Sequence, residues 1–185
     1  MVPWFPTELI LSIARKYLPE SDYFEKLPLY SLLEKESINS FFSNYSTAQV
    51  VDFYINQSTT SWKGIESFIE KSINEGQDFV LKGYHIHPKL VFGLQKRYFR
   101  YIRSIFVYRE NILDMVTGFR ELDHAYDWLI NTEVTDKTLV KVAESINEFG
   151  NFFKQECLNY GLPCLSVDDN IELKKDRIIS YLSPS

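Results

Sequence analysis

The stretch "DFVLKGYHIHPKLV", residues 78–91, decides how this chain is read. A short apolar run, Phe79 to Leu81, breaks at Lys82-Gly83 into a loop that carries His85 and His87, two of the three histidines. Pro88 or Lys89 then opens a helix, since proline suits the first helical turn, where its missing N–H has no partner to lose. A short apolar run bounded by glycine and followed by helical spacing predicts a buried strand. "SIFVY" at 104–108 and "PCLSV" at 163–167 read the same way. Hydrophobicity that is continuous rather than alternating predicts strands covered on both faces, as in parallel sheet.

Working outward, Val2 to Phe5 is short, apolar and broken by prolines, the stub of an edge strand. Apolar residues at Leu9, Ile10, Ile13, Ala14, Tyr17 and Leu18 follow helical spacing, with Thr7 as expected N-cap and Pro19 as stop. The charged, proline-punctuated segment after it predicts irregular chain around a short helix. One helix is expected around Val50, Val51, Tyr54 and Ile55, and another through Trp62, Ile65, Phe68, Ile69 and Ile73, ended by a left-handed Gly76. Long helices follow at 110–130 and 136–160, the second ending at Gly161, and a last helix at 171–182. Strands separated by helices predict a helix-rich α/β fold, a three-layer parallel sheet with helices on both faces. Ligands of such sheets lie at the carboxyl ends of the strands. Thr7-Glu8, Lys82 to His87, Arg109-Glu110 and Asp168-Asp169 are expected to meet there.

At 185 residues the chain suits a single domain, 1–185, and 45% hydrophobic with 16% aromatic residues excludes disorder. A net charge of -5 argues against a general nucleic-acid binder. Cys157 and Cys164 make no disulfide framework; they read as small buried side chains in a reduced, cytoplasmic protein. No apolar run approaches the roughly 20 residues that span a bilayer, and no signal peptide is evident. A small-molecule partner is expected, without nucleic acid or membrane; a homodimer is left open.

Each candidate site has a plain structural alternative. His85 and His87, two apart, suit two metal ligands, but a zinc site needs a third, and His124 beside Asp123 is the only other histidine. They read as polar loop histidines, and no metal is expected. Arg97, Arg100 and Arg103 fall three apart, as a positive helical stripe that is either a solvated face or a phosphate clamp, to which Arg109 and Arg120 would add. In "SVDDN", Asp168 could bind a sugar or a cation, though such a residue is more often a helix cap, a part that Asn170 or Asp169 could play here. No nucleophile elbow is present. Nor does any of the seven glycines begin or complete a phosphate-binding Gly-x-x-x-x-Gly-Lys-Ser/Thr motif.

Over most of its length the chain resembles P-loop small-molecule kinases of the adenylate-kinase-like group, in particular the 2-phosphoglycerate-kinase-like members. "VPWFPTELIL" is similar to their second strand and its Thr-Asp turn, with Thr7-Glu8 in that place. "INQSTTSWKGIESFIEKSINEGQDFVLKGYHIHPKLV" is similar to their helix and the strand ending Glu-Gly-x-His-x-x-Pro, with Lys82 where the family has glutamate. "RSIFVYRE" and "EFGNFFKQECLNYGLPCLSVDDN" are similar to the last two strands. The family pattern begins with a first strand and phosphate-binding loop that this sequence does not show. Without that central strand two inner edges would lie unpaired, so a natural start further upstream is expected.

The resemblance implies an ATP- and magnesium-dependent phosphotransferase acting on a small metabolite. It places Thr7, Glu8, Lys82, His85, His87 and Arg97 on the acceptor side. Arg100, Arg109 and Arg120 fall on the phosphates or on a lid at about 110–135, and Asp168 and Asp169 on the nucleotide side. The alternative is a non-catalytic descendant that binds a ligand or a protein. A metal-dependent hydrolase using His85 and His87 is a third reading.

Overall fold

The computed structural model describes residues 2–121, 133–168 and 171–183, with nothing said of the side chains of 23–24 and 171–173. Two compact units are present. The first comprises Met1–Leu32 and Asp52–Ile102, the second Leu33–Val51 and Arg103–Ser185.

In the first unit, β1 (Trp4–Pro6) pairs in parallel with β2 (Val80–Lys82), with Trp4 opposite Val80 and Pro6 opposite Lys82. Pro3 and Pro6 keep β1 short because neither has an N–H for the ladder. Helix α1 (Thr7–Tyr17) follows at once. Pro6, not Thr7, is its N-cap, and no side chain caps it. Thr7 is the first helical residue and turns inward instead. Two short helices, α2 (Tyr23–Lys26) and α3 (Pro28–Lys35), lead on; α4 (Ile38–Asn44) lies wholly in the second unit.

The expected pair of helices between residues 50 and 73 is a single 28-residue helix, α5 (Thr47–Asn74). Its polar middle, Gln57 to Ser61, looks like a break in sequence. It stays helical, and Ser58, Thr59 and Ser61 satisfy their hydroxyls within the helix, on the carbonyls of Tyr54, Ile55 and Gln57 at 2.8, 3.0 and 2.8 Å. Gly64 lets α5 approach α1, where a Cβ would lie 3.2 Å from Ile10. Phe5, Phe68 and Phe79 pack edge to face, with centroids 5.0–6.4 Å apart, and Leu11, Ile65, Val91 and Leu94 complete the core. Full burial of such a side chain stabilises by about 1.5–3 kcal/mol. Helix α6 (Pro88–Tyr98) closes the unit, with His87 as N-cap and proline at its first position.

In the second unit, β3 (Phe106–Tyr108) pairs in parallel with β4 (Cys164–Ser166). Helices α7 (Ile112–Glu121), α8 (Asp136–Tyr160) and α9 (Ile171–Leu182) complete it. Helix α8 crosses β3 at Gly150, where a Cβ would meet that of Tyr108 at 3.2 Å. Thr135 caps α8 by accepting from the Thr138 N–H at 3.3 Å. Asn39 on α4 joins there, its amide oxygen accepting from the Thr135 N–H at 3.1 Å and the Thr138 hydroxyl at 2.7 Å. Gly161 is left-handed, φ 65°, as its position predicts.

The α/β class and the parallel pairing agree with expectation; a continuous sheet is not seen. Among the described residues the strands form two separate pairs, with no ladder between them. Nor are the strands covered on both faces. Trp4, Val80 and Lys82 share one exposed face of the first pair, and Val107 is exposed in the second. Each strand has three residues, too few for continuous hydrophobicity to be told from alternation. None of the helices among the described residues is long and apolar enough to cross a membrane.

Candidate functional site

At the carboxyl ends of β1 and β2 the chain makes two sharp departures, into α1 and into the histidine loop. Gly83 permits the second. Its φ is 148°, and a Cβ there would sit 1.8 Å from the Thr7 hydroxyl oxygen, 2.9 Å from Thr7 Cβ and 3.3 Å from a Glu8 carboxylate oxygen. Only glycine has both the backbone freedom and the space. The loop therefore lies directly against the start of α1.

That contact delivers His85 to Thr7. The ring Nδ1 and the Thr7 Oγ1 are 2.9 Å apart, and Nε2 lies 3.2 Å from the side-chain amide nitrogen of Gln57 on α5. Thr7, Gln57 and His85 are all 0% exposed. The Gln57 amide is oriented by its other end, whose oxygen accepts from the Tyr30 N–H at 3.4 Å. Its nitrogen must therefore donate to His85 Nε2, which leaves the ring proton on Nδ1, donated to Thr7. Burial holds the imidazole neutral, pushing its pKa down to about 4. Four elements (α1, α3, α5 and the loop after β2) are tied by one chain of hydrogen bonds with a defined direction.

His85 and His87 lie in the loop between β2 and α6, as their sequence reading has it. Both are buried, and His87 serves as the backbone N-cap of α6. Both nitrogens of His85 are engaged, so neither is open to a metal. Among the described residues no group of three or more His, Cys, Asp or Glu side chains could hold one. Thr7 and His85 reach no ligand directly in this conformation; they set the position of what lies around them.

Around them are groups that do reach the surface. Glu8 is half-buried in the first turn of α1, where the helix dipole favours a carboxylate. Tyr30 and Tyr84 are half-buried, and their phenols are near enough to influence each other's ionisation. Tyr54 packs edge-on against Tyr84 with centroids 5.0 Å apart. Burial first, and then Glu8's charge, raise the Tyr30 phenol, while Arg15 and Tyr84 oppose the rise. Tyr84 is pushed far above the usual phenol range by burial and by Tyr54, Tyr30 and Glu8, and Tyr54 is pushed up to about 12 by burial. These tyrosines stay protonated donors at neutral pH. The Arg15 guanidinium lies 5.8 Å from the Tyr30 ring centroid and brings a positive charge to the same end. Tyr30, Tyr54, Gln57, Tyr84 and Arg15 were not singled out in sequence. Tyr84 adjoins His85, and Gln57 sits in the polar interruption of α5; those were the available signals.

The remaining candidates have partners of their own. Lys82 places its ammonium 4.1 Å from the Trp4 ring centroid on the exposed face. Arg97 ion-pairs with Glu66 and, at 3.3 Å, with Glu70 on α5. Helix α6 ends at Tyr98, so Arg97, Arg100 and Arg103 do not form a helical stripe. Arg100 lies against the ring of Phe99, and Arg103 donates to the carbonyls of Tyr181 and Ser183 at the end of α9. Arg120 pairs with Asp136 at 2.8 Å, and α7 is anchored by buried Met115 and Val116. The lid region around 110–135 falls in part, at 122–132, outside the described residues, as do His124, Asp123, Asp169 and Asn170.

At the carboxyl ends of β3 and β4, the Asp168 carboxylate accepts from the backbone N–H of Glu110, at 2.8 and 3.0 Å, and of Asn111, at 3.0 Å. The Ser166 hydroxyl donates to it at 2.9 Å. Desolvation would raise its pKa. The N–H groups of Asn111 and Glu110, the Ser166 hydroxyl and the charge of Arg109 outweigh that, and the net shift is downward. Asp168 thus joins the end of β4 to the turn that starts α7.

A helix-rich α/β chain with small parallel strand pairs is the class the fold defines, and that class does not by itself fix a function. The chain is similar to a 2-phosphoglycerate kinase of Methanopyrus kandleri, 25% identical over 187 aligned positions, which take in 96% of this chain and 51% of that protein. The chain thus spans about half the length of the curated relative it matches. No protein-family model matches it, and no solved structure does. A distant kinase-like relationship follows.

Proposed function

We propose that the chain forms the acceptor-binding part of a small-molecule phosphotransferase, and that its acceptor is a small phosphorylated hydroxy acid of the 2-phosphoglycerate kind. The observation that carries this reading is the alignment with a 2-phosphoglycerate kinase along nearly the whole chain. The cluster at the ends of β1 and β2 supports it chemically. Glu8 would accept a hydrogen bond from the substrate hydroxyl, and the phenols of Tyr30 and Tyr84 would donate to its oxygens. Arg15 would offset its charge, with Lys82 at the rim, while Arg97, near the far end of α6 and paired with Glu66 and Glu70, would stand away from the acceptor. Thr7, His85, His87 and Gln57 would hold these groups in place without touching the ligand. Catalysis in this class is mostly positioning and charge neutralisation.

In this reading ATP and magnesium are the co-substrate and its ion, and the two strand pairs belong to one three-layer P-loop-kinase sheet. Arg100, Arg109 and Arg120 would serve the phosphates, and Asp168 and Asp169 the nucleotide side. The described residues do not by themselves fit magnesium-ATP. The Asp168 oxygens are taken by N–H donors, and the sequence holds no phosphate-binding glycine loop. A kinase therefore needs that loop from outside these 185 residues, and no nucleotide step is assigned to them here.

The test is calorimetric titration with 2-phosphoglycerate, and separately with magnesium-ATP, of the wild type and Glu8→Gln. Saturable 2-phosphoglycerate binding that weakens at least tenfold in Glu8→Gln is the expected outcome. No binding of either ligand would sink the reading. Binding of 2-phosphoglycerate that Glu8→Gln leaves unchanged would favour the second reading, a binding protein that does not transfer phosphate, to which Lys82 in place of the acidic residue of the resemblance points.

A further inference from the structure

The net charge of -5 conceals a local excess of the opposite sign. Between Asp78 and Glu110 the sequence holds seven Lys and Arg residues and no carboxylate side chain. Helix α6 lies in the middle of that segment. One face of it is apolar and enters the core through Val91 and Leu94. Lys89, Phe92 and Lys96, at i, i+3 and i+7, share the opposite face. Phe99 keeps right-handed helical backbone as C-cap and so carries that face onward by one turn.

The turn after α6 is held by its backbone. Tyr101 and Ile102 donate their N–H groups to the Tyr98 carbonyl at 2.9 and 3.2 Å, and the Gln95 amide donates to the Ile102 carbonyl at 3.3 Å. Its two large aromatic side chains add little to that, since Phe99 and Tyr101 are each 70% exposed. Cations lie beside the rings. The Lys96 ammonium is 4.2 Å from the Phe92 ring centroid, and the Arg100 guanidinium carbon is 5.4 Å from that of Phe99. Lys89, Lys96 and Arg100 are exposed. Arg97 takes no part, because Glu66 and Glu70 on α5 pair with it.

Rings that protrude between cations match a surface that is negative outside and apolar just beneath. A bilayer with anionic head groups has that order: aromatic side chains settle at its interface, and Lys and Arg are drawn to the head groups. A folded protein partner fits less well, because a stable interface takes about 20–30 residues a side and this patch offers far fewer. A polynucleotide is disfavoured because cations already rest against the rings on which bases would stack. We propose that the end of α6 and the turn after it form a peripheral docking surface for an anionic lipid bilayer. Phe99 and Tyr101 sit among the head groups, and Lys89, Lys96 and Arg100 pair with their negative charge. No membrane-spanning helix is required, and the proposal does not depend on the phosphotransferase reading.

The experiment floats the whole chain with vesicles of phosphatidylcholine alone and with vesicles containing about 30% phosphatidylserine. Flotation is expected only with phosphatidylserine, and it should fall about five-fold or more between roughly 0.1 and 0.5 M salt. Joint Phe99→Ser and Tyr101→Ser substitution should weaken it about ten-fold, and Arg100→Glu about five-fold. The same charge change at Lys137, exposed on α8, should leave it within about two-fold of wild type. No flotation of the wild type, equal flotation on both vesicles, or equal losses in Arg100→Glu and Lys137→Glu would each overturn the proposal. Where flotation is absent, retention on a single-stranded oligonucleotide would assign the patch to nucleic acid, and a dimer that the aromatic substitutions dissociate would assign it to a second copy of the chain. The dependence on phosphatidylserine and salt is read on the wild type, so it decides even where a variant fails to fold.

Discussion

At the carboxyl end of the β1–β2 pair, polar groups are buried and answered by other side chains; at that of the β3–β4 pair, a half-exposed carboxylate is answered by backbone. Thr7, His85 and Gln57 are neutral, wholly enclosed and drawn from three elements far apart in sequence. Asp168 is charged and takes three hydrogen bonds from two adjacent N–H groups. The first arrangement depends on every member, because a buried polar group that loses its partner carries the full cost of its desolvation. The second is a local joint that water can partly replace. The two ends should therefore respond very differently to substitution and to pH.

The largest contrast is expected at Gly83. Gly83→Ala must abandon φ 148° and drive a methyl group into Thr7, so it should lose on the order of 3–5 kcal/mol in urea unfolding. A loss under about 1 kcal/mol would mean that the loop does not press on α1 as described.

Next is acid. His85 titrates near 4 when folded and near 6.5 when unfolded. As pH falls through 6.5, the unfolded chain gains a proton that the folded one refuses until about pH 4. Stability from this group is thus complete above about 6.5 and lost progressively down to about 4, by up to ~3 kcal/mol. Urea midpoints across that range should show the slope, and His85→Asn should flatten it. An unchanged slope would place the titration elsewhere.

Asp168→Asn should cost only about 1 kcal/mol, the scale of a helix-cap interaction, because the amide oxygen still accepts from one N–H. Loss beyond about 3 kcal/mol would make this end as demanding as the other. Smallest of all, Arg120→Ala should stay within about 0.5 kcal/mol, since its pair with Asp136 is largely exposed. A larger thermal shift would give α7 a role its exposed ion pair does not explain.

Much of this was legible from particular residues. Pro88 opening α6, Gly161 closing α8 and the short runs at 80–82, 106–108 and 164–166 all follow from local chemistry. The placement of Thr7-Glu8 beside the histidine loop followed from parallel topology. What misled was also local. A polar middle in α5 imitated a break because hydroxyls that bond back to their own helix cannot be told from turn formers in sequence. Arginines at 97, 100 and 103 imitated a stripe because nothing local announces that α6 stops at Tyr98.

The sequence by itself determined where the four strands and the helices α1, α6, α8 and α9 fall, and that neighbouring strands run parallel, since both depend on short-range patterns and on connections that must pass over a sheet. Tertiary structure alone decided that the strands form two pairs of three residues each, that His85 is a buried neutral link rather than a loop ligand, and that Gln57, Tyr30 and Tyr84 surround it. Those outcomes depend on how close two backbones come, and that is set by a missing Cβ at Gly83 and a left-handed turn at Gly161 together with everything packed around them.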